Sequence, residues 1–153
     1  QWAAYFDTPS GDLQARDAGI RVRTSRNEAG QGRAVLTYKG PARPGDGLKV
    51  RPEHETTIGS AEAAEAILAG LGLVRTVAFE KIRESWRLDE AQVEVDELPE
   101  LGLYLEVEAP DASAVRDVLT RLGLADAATI TTPYVALVAG HLAGSGRAEL
   151  RFP

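Results

Sequence analysis

The sequence predicts an α+β domain in which a β-sheet curls around a charged interior, and three observations lead there. First, its strand-like segments carry charges at every second position. Arg21 and Arg23 flank Val22; Arg51, Glu53 and Glu55 alternate; Lys81 and Arg83 flank Ile82; Glu106 and Glu108 flank Val107. Side chains alternate across a strand, so each set shares one face. Second, paired cations and paired acids recur on several strands, which a single solvated sheet face does not require. Third, short helical patterns interrupt the strands.

In chain order, Tyr5-Phe6-Asp7 reads as a short strand followed by a turn at Ser10 to Asp12. Gly19 to Ser25 and Arg33 to Lys39 read as a hairpin joined by the polar loop Arg26 to Gly32. Gly40 to Gly47, with Pro41, Pro44 and three glycines, excludes regular structure and predicts a mobile connection. Lys49 to Ile58 is the next strand. Ser60 is positioned to cap a helix with Ile67, Leu68 and Leu71 on one face, ending at Gly72. Strands then follow over Ala78 to Leu88, Gln92 to Asp96 and Leu103 to Ala109. A helix capped by Ser113 turns Val115, Val118, Leu119 and Leu122 inward and closes at Gly123. Thr132-Pro133 starts a last helix through Leu142, because proline suits the first helical position. The spacing shows no internal repeat.

The 153 residues, 44% hydrophobic and 26% charged, suffice for one domain with a real core, taken as residues 1–153. No stretch approaches the roughly 20 apolar residues that cross a bilayer, and the expectation is a soluble, cytoplasmic protein. The absence of cysteine excludes disulfides, thiolate zinc sites and cysteine nucleophiles from this sequence. A net charge of −6 argues against a broad nucleic-acid surface. The chain opens on Gln1 and contains no methionine, so a preceding segment is expected.

The cations Arg21, Arg23, Lys39, Arg51, Lys81 and Arg83 form the first candidate set. Arginines two apart on a strand present two planar forks to one side, a geometry suited to phosphate oxygens. Any one pair alone could equally be a solvated strand face; recurrence favours a site. The acids Glu53, Glu55, Glu106 and Glu108, with Asp96, form the second set. Carboxylates on one strand face can share a hard cation such as Mg²⁺ or Mn²⁺, or can serve as counter-charges for the arginines. His54 alternates out of phase with Glu53 and Glu55, and His141 lies near a helix end, so both are read as structural or surface residues. Trp86, Tyr38 and Tyr104 are read as packing residues.

Taken in order, Tyr5-Phe6-Asp7-Thr8-Pro9, Gly19-Ile20-Arg21-Val22-Arg23, Leu36 to Pro41, Arg51-Pro52-Glu53-His54-Glu55, Lys81-Ile82-Arg83, Val93 to Asp96, Leu101-Gly102, Leu105 to Glu108 and Pro133-Tyr134 to Leu137 resemble the CYTH superfamily, the triphosphate tunnel metalloenzymes. The likeness spans about residues 3 to 140 and looks nearest to the class IV adenylyl cyclase branch. It implies a closed antiparallel eight-stranded barrel, a tunnel, with helices packed outside. It implies that Arg21, Arg23, Lys39, Lys81 and Arg83 grip a triphosphate, with Arg51 and Arg151 as further contacts. Glu53, Glu55, Asp96, Glu106, Glu108 and Glu149 would hold Mg²⁺ or Mn²⁺, and Lys39, Lys81, Arg83, Glu106 and Glu108 would carry the catalysis. The family's opening Glu-x-Glu-x-Lys strand is absent before Tyr5. Arg147 to Phe152 keeps one acid and a cation of that pattern, after Gly144-Ser145-Gly146, and reads either as a permuted copy facing the tunnel or as a plain final strand.

The expected activity is metal-dependent hydrolysis of an inorganic or organic triphosphate. The alternatives are cyclisation of ATP to cyclic AMP and pyrophosphate, or triphosphate or polyphosphate binding without catalysis. The expected partner is a triphosphate-containing small molecule, tripolyphosphate or ATP, with no nucleic acid and no membrane. The outer helices offer a surface for a homodimer, although no residue pattern marks an interface.

Overall fold

A computed structural model of the chain describes residues 1–27, 29–41 and 51–153. Strand β1 (Trp2–Asp7) pairs antiparallel with β2 (Gly19–Arg26), β2 with β3 (Gly32–Lys39), and β3 with β4 (Glu53–Ile58). On its other side β1 pairs antiparallel with β5 (Val74–Glu80), and β5 runs parallel to the two-residue β9 (Glu149–Leu150). The resulting sheet has the order β4-β3-β2-β1-β5-β9. A second sheet is the antiparallel meander β6 (Ile82–Leu88), β7 (Ala91–Leu98) and β8 (Gly102–Glu108). Most of the connection expected over Gly40 to Gly47, and the start of the strand expected from Lys49, lie outside the described residues, and β4 is Glu53–Ile58.

Alternation along the strands decides which face is buried by what. Ala4, Phe6, Val22 and Ala78 share one face of the larger sheet, which helix α2 (Ala61–Gly70) covers with Ala64 and Leu68. Ser60 Oγ accepts from the Ala63 N–H at 3.0 Å, and Gly72, at φ +85°, lets the chain turn out of the helix. The predicted cap and stop are therefore present, but the buried stripe differs. Ile67 and Leu71 are 63% and 72% exposed, because the small Ala64 and not Leu71 meets the sheet. Helix α3 (Ala112–Arg121) lays Val118 on Ala91 and Val93 across the outer face of the smaller sheet. Its cap is Asp111, which accepts from the Ser113 and Ala114 N–H groups, and not Ser113 itself.

The inner faces do not close into the eight-stranded barrel that the resemblance implies. Two separate sheets are present among the described residues, and no backbone ladder joins them. Side chains fill the seam instead. Helix α4 (Tyr134–Leu142), which starts just after Pro133, inserts Val138 and Leu142 among Val77, Phe79 and Leu150 of one sheet and Leu98 of the other. The single strand expected over Ala78 to Leu88 is two, broken at Lys81, where the chain passes from β5 into β6. Lys81 and Gln1 exchange backbone bonds at that corner, Lys81 N–H to Gln1 O at 2.9 Å and the Gln1 amine to Lys81 O at 2.8 Å. No helix among the described residues is long and apolar enough to cross a membrane.

A four-residue helix, α1 (Asp12–Ala15), falls where only a turn was expected. The buried Asp7 organises it, accepting from the backbone N–H groups of Thr8, Leu13 and Gln14 at 2.7, 2.8 and 2.9 Å. Burial opposes ionisation of this carboxyl, but the three amide donors outweigh it and its pKa lies below the ordinary value. Asp7→Asn is expected to cost about 1–2 kcal/mol at pH 7. A depressed carboxylate stabilises the fold above its unfolded pKa, and loses that contribution as pH falls through the folded one. The gap between wild type and variant should therefore shrink below about pH 4, which urea melts at pH 7 and pH 3 would show.

Candidate functional site

The charged cleft lies on the inner faces. Register places Tyr5, Arg21 and Thr37 side by side on β1, β2 and β3, with Glu55 next on β4. Glu55 Oε2 accepts from Thr37 Oγ1 at 3.1 Å, and Arg21 and Arg23 approach the same oxygen at 3.9 and 3.6 Å. Two residues further along the same pair of strands, Lys39 Nζ meets Glu53 Oε1 at 2.8 Å. One face of the larger sheet thus carries three cations and two acids.

The smaller sheet answers it with a denser knot. Asp96 is fully buried and accepts from Lys81 Nζ at 3.0 Å and from Arg83 Nε at 2.6 Å. Arg83 also pairs with the buried Glu94, and through Nη2 with Glu106 Oε2 at 2.5 Å. Glu94 and Glu106 are direct cross-strand partners on β7 and β8, which is why one guanidinium can bridge them. Burial works against ionisation of Asp96, yet Arg83 and Lys81 hold its pKa below the ordinary value. Burial likewise works against the charge on Arg83, and its three carboxylates outweigh that and raise its pKa.

For Lys81 and Arg23 the balance reverses. Burial lowers the pKa of Lys81, and repulsion from Arg83 adds to it against the pull of Asp96. Burial also lowers that of Arg23, with further repulsion from Arg21 and, from the opposite sheet, Arg83. Cations of the two sheets therefore press on one another across the cleft. Tyr134, from α4, closes this end: Lys81 Nζ lies 5.1 Å from its ring centroid, and Tyr104 packs against it edge-on at 5.3 Å. Burial, then the nearby Glu106 and Asp96, push the phenol pKa up.

Of the expected site residues, Arg21, Arg23, Lys39, Glu53, Glu55, Lys81, Arg83, Asp96 and Glu106 come together on these faces. Others stand apart. Arg51 is drawn to Asp17, with both oxygens at 3.1 Å from Nη2. Glu108 shares a shallow pocket with Arg87, Glu90, Gln92, Ala109 and Pro110, further out along β8. Glu149 is in register with Ala78 and so shares the face away from the cleft, where it nears Arg75 at 4.0 Å. Arg151 stacks over Trp2 at 4.0 Å and contacts Glu149 and Glu80. Arg147 and His141 both bind Glu100. His54 stacks on Tyr38, opposite the acids as its phase requires, and Trp86 is half exposed on the outer face of β6. Glu94, Thr37 and Tyr134 were not among the expected residues. Period-two spacing from Asp96 and Lys39 would have found the first two.

A divalent ion was expected among the acids. No group of three or more Asp, Glu, His or Cys side chains is gathered as a ligand set among the described residues. The donors are nonetheless all hard carboxylate oxygens, and Mg²⁺ typically takes only one or two carboxylates, completing its shell with water and substrate phosphate. Glu94 and Glu106 are one such carboxylate pair, and in this structure both are paired with Arg83.

A sequence profile of the CYTH domain matches residues 1–134. The provisionally named adenylate cyclase MJ0240 of Methanocaldococcus jannaschii is 31% identical over 104 residues, covering 68% of this chain and 56% of that protein. The chain therefore spans little more than half of that relative. Among solved structures, the PH1819 protein of Pyrococcus horikoshii superposes with a TM-score of 0.71 at 23% identity, over 92% of this chain and 83% of that one. A Hippeastrum protein, described as a provisional adenylyl cyclase with a dominant triphosphatase activity, superposes with a TM-score of 0.65 at 19% identity, over 91% and 81%. These two likenesses concern the fold.

Proposed function

The chain belongs to the CYTH domain family, and from that premise we propose that its cleft binds a triphosphate together with a divalent metal and hydrolyses it. One observation carries the reading: Arg21, Arg23 and Lys39 on the larger sheet, Arg83 on the smaller and Lys81 at the corner between them converge as partly buried cations, and burial with mutual repulsion lowers the pKa of Arg23 and Lys81, a state that a bound anion relieves. The activity named for the Hippeastrum neighbour supports hydrolysis, and the name of the Methanocaldococcus relative supports cyclisation of ATP as the second reading.

Charge balance supports a metal as part of this reading. The cleft cations Arg21, Arg23, Lys39, Lys81 and Arg83 are matched by Glu53, Glu55, Glu94, Asp96 and Glu106. A tripolyphosphate entering so balanced a site needs positive charge to accompany it. When bound, Mg²⁺ or Mn²⁺ would screen the phosphoryl oxygens and make the phosphorus a better electrophile. Glu94 and Glu106 would hold the ion. Arg21, Arg23, Lys39, Lys81 and Arg83 would bind the phosphoryl oxygens and fix the chain of phosphates in line. Water attack at the terminal phosphorus breaks its bridging P–O bond and releases orthophosphate, with pyrophosphate as the other product when tripolyphosphate is the substrate. Positioning and fixed charge supply most of the acceleration in such transfers.

The test is product release from tripolyphosphate and from ATP with Mg²⁺, Mn²⁺ or chelator. Metal-dependent orthophosphate is expected, falling by at least about 100-fold in Glu106→Gln. Cyclic AMP would instead establish the cyclase, and binding without turnover of either substrate would leave a non-catalytic module. Arg23→Ala and Lys81→Ala should each weaken tripolyphosphate binding by about 10-fold or more, as read by calorimetry. A change under twofold in both would mean these cations serve only as surface charge.

A further inference from the structure

The hydroxyl of Tyr134 is buried and has no hydrogen-bond partner, although it lies at the charged end of the cleft. A buried phenol ordinarily finds an acceptor. Two carboxylates, Asp96 and Glu106, are near enough to act on it. Both are held by cations, Asp96 accepting from Lys81 Nζ and from two nitrogens of Arg83, and Glu106 Oε2 from Arg83, and neither makes a hydrogen bond to the phenol. Lys81, one of the cations proposed to grip phosphate, sits over the Tyr134 ring. Val138 and Leu142, one and two turns further along the same helix, are buried in the seam, and the Tyr134 ring packs against that cluster and edge-on to Tyr104, which fixes the position of the phenol.

From this geometry we infer that Tyr134 is a substrate-binding residue: its hydroxyl donates to a phosphoryl oxygen of the bound triphosphate beside Lys81. The inference rests on the triphosphate reading of the cleft. A neutral donor is useful there, since it orders a phosphoryl oxygen without adding to the cations that already repel one another. It also gives α4 a part in the site: the helix that fills the seam in place of a backbone ladder delivers one polar group inward.

The experiment labels the four tyrosines with ¹³C at Cζ, assigns Tyr134 through Tyr134→Phe, and titrates the protein with the imido analogue of tripolyphosphate and Mg²⁺, following binding by calorimetry in parallel. The Tyr134 resonance should move along the same saturation curve as the heat. Tyr134→Phe should bind about 10-fold or more weakly with an unchanged thermal midpoint. Calorimetric binding with a stationary Tyr134 resonance, or binding by Tyr134→Phe within twofold of wild type, would overturn the inference while leaving the cleft reading intact. An absence of heat in the wild type would overturn the cleft reading and the inference with it.

Discussion

Replacing Arg83 by methionine is expected to lower the unfolding free energy by about 3–5 kcal/mol and to abolish tripolyphosphate binding. The size follows from what the guanidinium leaves behind. It bridges Asp96, Glu94 and Glu106, the first fully buried and the second nearly so, and among the described residues Lys81 remains as the only other cation paired with Asp96. Removing one member of such a network strands like charges in a poorly solvated space, at a cost greater than the worth of the intact pairs. Adding Asp96→Asn should recover much of the stability, because it removes the most deeply buried of the stranded charges. It should not recover binding, because Arg83, the proposed phosphate ligand, is still missing. Urea unfolding of the single and double variants measures the first effect, and calorimetry with tripolyphosphate the second. A loss below about 1 kcal/mol for the single variant would mean that water reaches these acids and that the knot is not a closed network.

The second large effect is expected at Leu150. Its side chain is fully buried among Val77, Phe79, Leu98, Val138 and Leu142, so it ties β9 and α4 to both sheets. Leu150→Ala should cost about 2–5 kcal/mol, from lost burial and from the cavity left behind. For a domain of this size each kcal/mol lowers the thermal midpoint by about 2–4 °C. The ladder between β5 and β9 covers two residue pairs, too few to hold the strand once its anchor is gone. Protection of the Ala78 amide, which donates to Ala148 O at 3.1 Å, should therefore fall with the midpoint, and hydrogen exchange would record it. Exchange at Ala78 unchanged from wild type would show that backbone pairing alone retains the segment.

Which charged residues share a strand face was legible because alternation is a local property. The pairing of Asp96 with Arg83 is cross-strand register that only the fold supplies, whereas Arg21 with Arg23, and Glu53 with Glu55, each follow from period two along a strand, and the same rule sends His54 to the other face. Glu94 obeys it equally and would have emerged from extending the Asp96 face by one step. Helix ends were partly legible for the same reason: the Ser60 cap and the turn at Gly72 are local chemistry. Asp111 displaced Ser113 as the second cap because its carboxylate reaches two amides at once.

Charge patterning along single strands therefore determined, without any structure, that cations and acids share inner faces of a β-rich domain, and the resemblance carried by those residues pointed to the family. Tertiary structure decided how the strands are joined. Closure depends on pairing between edges far apart in sequence, which no local period encodes. Here the chain breaks at Lys81, α4 fills the seam, and two sheets face each other where a closed barrel was expected. The same packing turned Leu150 inward and Glu149 away from the cleft, because a fully buried leucine gains more there than a carboxylate that must be desolvated. It also brought Tyr134 to Asp96 and Glu106 across distances in the sequence that only the folded chain spans.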